Sequence, residues 1–503
     1  MATYYVDRSH GSADDDNAGT SESLPWLTLH RAVDGISVRE VGGSTGPGGI
    51  GGEGNPYTPV VAGDTVYVKS GTYTDNTAAA DNDPVVKYNS TNAGTSGSPI
   101  TFKAFPGHRP VVTRQLHSPA DGDNQPVIGA YGANKNYITW SGFELGAGTD
   151  ARLDGGSESR ATTLTGCILE YLYIRKGSPS AWDGTGNWSG IYVQACDSCI
   201  VRHNDIGDVY YSDRAADNAA GVKAYAAEGL LIHNNTITNC NVGIGTKTSN
   251  RNTIVEYNFI YLTTLAGIRT GNVNAARTVY GNIYRYNVIV NVGERGIYYE
   301  SNMDQVKNEY FYNNTVWCGT AATNHASVSS STVGRIGIYL AQSPTLATSG
   351  DERPLWLYNN IFVRNSTNSS TVRGHQSHGV TDGIVANSLI NYNLFWGTGG
   401  AHFACQENAG GTTTTALATW QALTDTPDLN SVAGSDPLFT VAGGGNVATN
   451  YKLQAGSPAV NAGRVGGVGG GAAVNIGAYA TGNEVIGAGS TSTNWATCAG
   501  GMA

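Results

Sequence analysis

Positively charged and phenolic side chains recur at fixed distances after a repeated Gly-apolar pair. The pairs are Gly190-Ile191, Gly221-Val222, Gly243-Ile244, Gly267-Ile268, Gly296-Ile297, Gly337-Ile338 and Gly383-Ile384. Two residues past the first six glycines stand the residues of row 1: Tyr192, Lys223, Gly245, Arg269, Tyr298 and Tyr339. Four residues past them stand the residues of row 2: Gln194, Tyr225, Lys247, Gly271, Glu300 and Ala341. If each pair lies in a strand with its apolar residue inward, both rows face outward.

These residue types match the needs of β-elimination across a uronic acid. That reaction requires a cation on the carboxylate, a base for the C5 proton and an acid for the leaving oxygen. Lys247 or Lys223 would serve as the base, and Arg269 would neutralise the carboxylate. Tyr225 or Tyr298 would protonate the leaving oxygen. Solvated charges on an ordinary sheet face are the alternative interpretation of the same residues.

A second repeated phrase shows which elements must position these rows. An Asn, one free residue and a branched or aromatic residue recur at Asn204, Asn235, Asn258, Asn287, Asn314, Asn360 and Asn393, with spacings of 23 to 46 residues. The shortest spacing is 23 residues, and the longer spacings come from insertions at one place in the repeat. This pattern is typical of a solenoid in which each repeat forms one coil. The flanking residues are β-branched or aromatic, which favours strands. The sequence therefore predicts an all-β fold, a right-handed parallel β-helix whose repeated Asn residues bond to one another between coils.

Stacked coils would bring distant residues of the sequence into register, about 4.8 Å apart. Gly245 then leaves about 10 Å between Lys223 and Arg269, which suits one sugar ring. Cys167 and Cys199, 32 residues apart, are expected to stack on adjacent coils.

The insertions all precede the Gly-apolar strands, where long loops would form the wall of a groove. They run over residues 176–189, 207–220, 318–335 and 364–382. Trp182 and Trp188 are candidate sugar-stacking residues, and Tyr192, Gln194, Tyr339, His375 and His378 are further candidate substrate contacts. Asp213 and Asp217 precede Lys223 and are the candidate calcium ligands. A hydrolase would instead pair Glu300 with Asp213, Asp217 or Asp382.

Composition narrows the class of protein. The chain has 68 Gly, 28 Tyr and only 14% charged residues, which is typical of strands and turns. A net charge of −10 makes nucleic acid and anionic membranes unfavourable partners, and no apolar run approaches a membrane span. Seven cysteines are too sparse for a disulfide framework. The start at Ala2 behind an added Met1 predicts a secreted protein whose signal has been removed, or a virion protein.

Three regions are expected along the chain. Residues 1–36 hold a strand and a capping helix near Pro25 to Val33, residues 37–463 form the β-helix, and residues 464–503 form a Gly-rich tail. A helix at an open β-helix end would block further strand pairing.

Motifs at both ends resemble those of a known superfamily. Ala62 to Tyr73 and Ser96 to Gly107 resemble the first coils of secreted right-handed β-helix proteins, many of which are polysaccharide lyases of the pectate lyase, alginate lyase and chondroitinase B groups. Asp436 to Phe439, Leu453 to Ala459 and Asn475 to Tyr479 look like the closing coil of the same superfamily. The resemblance implies Lys and Arg catalysis on neighbouring coils, often with Ca²⁺, and the step from Lys247 to Arg269 is similar. Acidic residues shortly before the Lys are missing at 241–246.

Two other functions stay open beside a lyase for acidic polysaccharides. One is a non-catalytic glycan-binding or structural β-helix of the phage-tail or adhesin type, and the other is the hydrolase that uses Glu300. A secreted enzyme would be a monomer, whereas a virion protein would be a homotrimer.

Overall fold

The structure, a computed structural model, describes residues 1–33, 60–75, 86–88, 92–114, 126–132, 134–177, 187–211, 218–272, 279–301, 306–318, 336–342, 355–364, 375–378, 389–397, 405–406, 413–414, 416–422, 429–441, 445–467, 471–482 and 484–487. The chain divides into two compact units. Unit 1 comprises residues 1–212, 226–231 and 489–503, and unit 2 comprises residues 213–225 and 232–488.

Each coil contributes strands to three faces. Face 1 precedes the repeated Asn, face 2 follows it, and face 3 carries the Gly-apolar pair. Neighbouring coils pair in parallel on every face, as at Ile254–Glu256 with Ile283–Arg285. Crossovers between parallel strands of one sheet are right-handed in nearly all proteins. The fold is a right-handed parallel β-helix, and the prediction from the repeat is confirmed.

Unit 1 begins with the strand Thr3–Val6, which pairs in parallel with Thr65–Val68. Its further face 1 strands are Ile100–Ala104, Ile138–Ser141, Ile168–Glu170 and Ile200–Arg202. Its face 2 strands are Gly71–Asp75, Pro110–Arg114, Glu144–Leu145, Tyr173–Gly177 and Asp205–Val209. Its face 3 strands are Val86–Tyr88, Pro126–Tyr131, Asp150–Asp154 and Trp188–Gln194. Leu164–Thr165 and Cys196–Asp197 form a small separate pair.

In unit 2, the strands Thr236–Lys247 and Phe259–Asn272 run through faces 2 and 3 without a break. The other strands of face 1 are Leu231–His233, Ile254–Glu256, Ile283–Arg285, Glu309–Tyr312, Leu355–Tyr358 and Leu389–Asn391. Those of face 2 are Val288–Val292, Thr315–Cys318, Ile361–Arg364, Leu394–Gly397 and Val432–Ala433. Those of face 3 are Ala219–Tyr225, Arg295–Ser301, Ile336–Gln342, His375–His378 and Cys405–Gln406.

Short elements complete the two units. Val279–Tyr280 pairs with Val306–Lys307, Thr413–Thr414 pairs antiparallel with Cys405–Gln406, and Gly463–Arg464 pairs antiparallel with Ala473–Val474. Helix α1 is Leu29–Val33 and helix α2 is Leu417–Gln421; the 3-10 turns are Ala448–Tyr451 and Val465–Gly467. None of the helices in the described part of the chain is long and apolar enough to cross a membrane.

Helix α1 is the predicted capping helix, and it begins four residues after Pro25. Trp26 forms a parallel bridge with Val6 of the first strand, and its ring stacks on Tyr4 at 4.5 Å. Leu29 and Ala32 are fully buried. The chain before the helix therefore covers the first strand of unit 1.

The repeated glycines allow the coil interior to close. The apolar residues that follow them in unit 2, Val222, Ile244, Ile268, Ile297 and Ile338, stand in register and are fully buried. A Cβ on Gly243 would meet the Gly267 carbonyl oxygen and Ile260 Cγ2 at 2.5 Å. Only glycine permits this approach of backbone to a neighbouring coil.

The repeated Asn residues form the predicted ladder through unit 2. The Nδ2 atoms of Asn235, Asn258, Asn287, Asn314 and Asn360 each donate to the Oδ1 of the next Asn, at 3.0 to 3.1 Å. All are fully buried. The residue before each ladder Asn has the αL conformation: Asn234, Tyr257, Tyr286, Asn313, Asn359 and Tyr392 have φ between 53° and 57°.

The described residues of the segment 463–487, here called the C-terminal strap, pack along unit 2 in the reverse of the coil order. The Nδ2 atoms of Asn359, Asn313 and Asn234 donate to the carbonyl oxygens of Arg464, Asn475 and Val485 at 2.8, 2.9 and 2.6 Å. Ile476, Tyr479 and Ile486 pack on an apolar outer stripe of face 2. The strap therefore covers a surface that would otherwise be exposed apolar sheet.

Five cysteines of the described chain lie in the interior of the coils. Cys167, Cys196, Cys199, Cys240 and Cys318 are all buried. Ile168 pairs with Ile200, so the expected stacking of Cys167 and Cys199 is confirmed. Burial raises the pKa of Cys167 and Cys199 well above the usual thiol value, which makes these thiols unreactive.

Candidate active site

Strand register brings the unit 2 members of both rows together on face 3. Lys223 pairs with Gly245, Gly245 with Arg269, Arg269 with Tyr298, and Tyr298 with Tyr339. In row 2, Tyr225 pairs with Lys247, Lys247 with Gly271, Gly271 with Glu300, and Glu300 with Ala341. Side chains scattered over more than a hundred residues of sequence thus stand on five successive coils.

The cations of this site are buried, not solvated. Lys223 is 1% exposed, Lys247 7% and Arg269 5%. Lys223 Nζ donates to Asn218 at 3.2 Å (backbone oxygen) and 3.1 Å (Oδ1), and lies 5.5 Å from the Tyr225 ring centre. Burial, and then the neighbouring Lys247 ammonium, hold the pKa of the Lys223 ammonium well below its ordinary value. Such an ammonium releases its proton readily and then becomes a base.

Two guanidinium groups lie on the Tyr298 ring. Arg269 Cζ is 5.1 Å from the ring centre, and Arg295 Cζ is 4.3 Å from it. Arg295 also pairs with Glu294 at 3.6 Å. Tyr298 is partly exposed, so the site opens toward this coil. Sequence reasoning missed Arg295, because it directly precedes a repeated glycine and only residues after the glycines were aligned.

Gly245 of row 1 has open space around its Cα, unlike five of the repeated glycines, which are Gly221, Gly243, Gly267, Gly296 and Gly337. A Cβ built there would meet its nearest atoms, in Ala220 and Val242, at 3.9 Å. This is ordinary van der Waals contact, so the backbone itself does not require glycine at this position. The gap between Lys223 and Arg269 is therefore a property of the site.

Unit 1 holds the remaining described candidates. Tyr192 is 5% exposed and its hydroxyl donates to Gln194 Oε1, while Gln194 Nε2 donates to the Gly156 carbonyl. Trp188 is 1% exposed, and its Nε1 donates to the Gly177 carbonyl at 2.9 Å. Its ring faces the Lys176 ammonium at 4.1 Å. In this structure the Trp188 ring thus contacts protein and not solvent.

Several sequence candidates are located only in part. Glu300, Tyr339, His375 and His378 are placed by the backbone of face 3 strands. Trp182, Asp213, Asp217 and Asp382 lie outside the described residues. The described residues contain no group of three or more His, Cys, Asp or Glu arranged to hold a metal ion. Calcium binding by Asp213 and Asp217 stays a prediction.

Comparison with known proteins agrees with this architecture. Residues 157–333 match the family model described as right handed beta helix region. This match and the strand pairing agree that the chain has the right-handed parallel β-helix fold. No curated protein matches its sequence.

Several solved β-helix structures are similar to the chain. Pectate lyase Pel9A is 15% identical, with 95% of this chain and 96% of that chain covered and a TM-score of 0.49. A rhamnogalacturonan lyase is 16% identical, with 77% and 86% covered and a TM-score of 0.39. The PL6 family polysaccharide lyase Pedsa3628 from Pseudopedobacter saltans is 12% identical, with 74% and 87% covered and a TM-score of 0.37. These likenesses concern the architecture and assign no activity.

Proposed function

We propose that this β-helix is a carbohydrate-active enzyme that cleaves an acidic polysaccharide by β-elimination. The observation that carries the proposal is the buried Lys223 amine beside Lys247, one coil from the gap at Gly245 and two coils from Arg269. A base with a lowered pKa next to fixed guanidinium groups is what abstraction of a proton α to a carboxylate requires. An extracellular or virion location, from which the protein would reach such polysaccharides outside cells, belongs to the same proposal.

Each described residue has one role in this mechanism. The neutral Lys223 amine takes the C5 proton of the uronate, and the C–H electron pair forms the C4–C5 double bond as the C4–O bond breaks. Arg269 holds the carboxylate and stabilises the charge that builds up on it. Tyr298, or Tyr225 on the other side of the gap, gives a proton to the leaving oxygen. Burial and then the like charge of Lys247 keep Lys223 neutral.

An absorbance screen tests the proposal. Alginate, pectate, chondroitin and bacterial exopolysaccharides are incubated with the protein, with and without chelator, and the ultraviolet absorbance of the unsaturated product is followed. We expect product from at least one of them. Lys223→Met should abolish turnover, whereas Lys452→Met, which removes a lysine outside both rows, should leave it unchanged. Both variants should keep the wild-type melting temperature.

The pH profile separates the two lysines. The active form has a neutral Lys223, so activity should rise with pH through the pKa of that amine. Lys247→Met removes the like charge, which raises the pKa of Lys223 and moves the rising limb to higher pH. Absence of a rising limb in the wild type would remove Lys223 from the base role, and an unmoved limb in Lys247→Met would show that burial alone sets the pKa of Lys223. New reducing ends without ultraviolet absorbance would favour the hydrolase with Glu300, and glycan binding with neither product would favour a non-catalytic β-helix.

A further inference from the structure

We propose that unit 1 carries a subsite for an uncharged sugar, centred on the Arg152 guanidinium. The inference rests on the proposed carbohydrate function and names the chemistry that Tyr192 and Gln194 would recognise. Gly129, Arg152 and Tyr192 stand in register on successive strands of face 3, as do Tyr131, Asp154 and Gln194. Arg152 was not among the sequence candidates, because Asp150 replaces the repeated glycine on its strand.

The guanidinium is held rigid by its neighbours. Arg152 Nε and Nη2 donate to Asp154 Oδ2 at 3.0 and 2.5 Å. The rings of Tyr131 and Tyr192 have their centres 5.3 and 4.9 Å from Arg152 Cζ. Asp154 is 2% exposed, and its Oδ1 accepts from the Gly156 N–H at 2.8 Å. Since this arrangement fixes the guanidinium before any ligand arrives, binding requires little further ordering.

Three side chains of this cluster, Arg152, Gln194 and Tyr131, are partly exposed to solvent. A guanidinium has five N–H donors, of which Asp154 takes two, and the Arg152 side chain is 18% exposed. The partly exposed Gln194 carboxamide is fixed in orientation by the Tyr192 hydroxyl and the Gly156 carbonyl. The partly exposed Tyr131 ring adds an apolar face. A few fixed polar groups beside an aromatic ring are suited to a sugar, whose ring has an apolar face and a polar edge.

The charge around the cluster favours hydroxyl oxygens over a carboxylate. Tyr192 feels the charges of Asp150, Asp154 and Glu158 as well as that of Arg152. Lys176 pairs with Asp150 at 3.3 Å. Two cations and three acids leave no positive excess to attract a uronate. Face 3 of unit 2, with Lys223, Lys247 and Arg269, has the opposite balance.

Calorimetric titration of the full chain tests the subsite. The ligands are neutral xylo-, gluco- and galacto-oligosaccharides, with oligouronates for comparison. We expect one neutral series to bind, and Gln194→Ala, Tyr131→Ala and Arg152→Lys each to weaken it by about tenfold or more. The control is Arg202→Lys, because Arg202 pairs with Glu170 at 2.7 Å on face 1 of the same unit. This variant should bind as the wild type does.

The outcomes distinguish the subsite from the proposed elimination. The Lys223→Met variant should still bind the neutral series, since its lesion lies in unit 2. Failure of every neutral series to bind, while unsaturated product forms from a polyuronate, would overturn the subsite alone. Weakening of oligouronate binding only, by Gln194→Ala, would also overturn it, because the site would then be anionic. Neutral binding without any unsaturated product would support the subsite and overturn the elimination.

Discussion

At the scale of single residues, a comparison of Gly245 with Gly243 distinguishes a glycine required by the proposed site from a glycine required by the fold. Gly245→Ala meets no atom closer than 3.9 Å, whereas Gly243→Ala would meet two atoms at 2.5 Å. We expect Gly245→Ala to keep the wild-type stability and to lower kcat/KM by about tenfold, because the methyl group enters the gap between Lys223 and Arg269. Gly243→Ala should instead cost about 1–3 kcal/mol of unfolding free energy.

Activity assays and thermal melts of the two variants check this prediction. Unchanged kcat/KM in Gly245→Ala would show that no substrate group approaches that position. A further substitution, Gly245→Val, enlarges the obstacle and should reduce turnover more than Gly245→Ala does.

Glu309 is a second residue whose role can be measured, through the pH dependence of the free energy of unfolding. It is fully buried, and its Oε1 accepts from Asn282 Nδ2 at 2.9 Å. Burial raises the pKa of Glu309 to about 8. The folded protein therefore holds this proton at pH values where the unfolded chain has lost it. The resulting stability is complete below the unfolded value of 4.5 and is lost as pH rises through about 8.

Glu309→Gln keeps the bond from Asn282 and removes the proton exchange. The variant should lack this decline. Its free energy of unfolding should therefore rise relative to that of the wild type by on the order of 4 kcal/mol between pH 4.5 and 8. Denaturant unfolding at several pH values measures the difference. Glu22→Gln, at a half-exposed side chain, is the control. A constant difference between Glu309→Gln and wild type at all pH values would contradict the assignment.

The pattern of residue types predicted where these side chains stand, but not how deeply they are buried. Because strand residues alternate between faces, the distance of a residue from its repeated glycine predicts its row. The observed register confirms the unit 2 members of both rows. Burial of Lys223 depends on what covers the outer face, which alternation does not encode. Arg152 and Arg295 were not predicted as site residues, because neither lies two or four positions after a repeated glycine.

At the scale of elements, the Asn ladder connects each coil of unit 2 to the next through buried side-chain hydrogen bonds. Asn314 Oδ1 accepts from the N–H and Nδ2 of Asn287 at 3.1 and 3.0 Å. Its Nδ2 donates to Asn360 Oδ1 at 3.0 Å and to the Tyr284 carbonyl at 2.9 Å. Removing the carboxamide would leave buried donors and acceptors on two coils without partners.

Asn314→Ala should therefore destabilise the protein by about 3 kcal/mol or more. Asn391→Ala is the matched control, because Asn391 is partly exposed and water can replace its bonds to Tyr392 and Asn430. It should cost about 1 kcal/mol or less. Chemical unfolding of both variants measures these losses of unfolding free energy. Equal losses would mean that the ladder hydrogen bonds stabilise the protein no more than those of a partly exposed Asn.

The ladder was foreseeable because identical residues at equal places in each coil must meet once the coils stack. Its backbone detail was not foreseeable in the same way. The residue before each ladder Asn takes φ near 55°, and half of these six residues are Tyr. The constraint is the turn geometry of the coil, which side-chain preference at a single position does not reveal.

At the scale of the whole molecule, the strap joins parts of unit 2 that are far apart in sequence. Its contacts link residues separated by 105 positions at Asn359 and by 251 at Asn234. The Gly-rich composition after residue 463 has no periodicity, and the closing-coil resemblance at Asn475 to Tyr479 does not indicate which residues of unit 2 this segment contacts. The apolar outer stripe of face 2, which includes Val290, Trp317 and Val363, is the other half of the interface.

Truncation after Ala462 should therefore destabilise unit 2 selectively. The change uncovers side chains that Ile476, Ala478, Tyr479 and Ile486 now bury. The three large strap side chains, Ile476, Tyr479 and Ile486, at about 1.5–3 kcal/mol each predict a fall in Tm of about 5 °C or more. Hydrogen exchange should quicken at Val288–Val292 and Thr315–Cys318, while Ile100–Ala104 in unit 1 keeps its protection. Truncation after Gly487 retains the strap and should leave these rates unchanged; faster exchange in both truncations, or in neither, would show that the strap does not stabilise the coils.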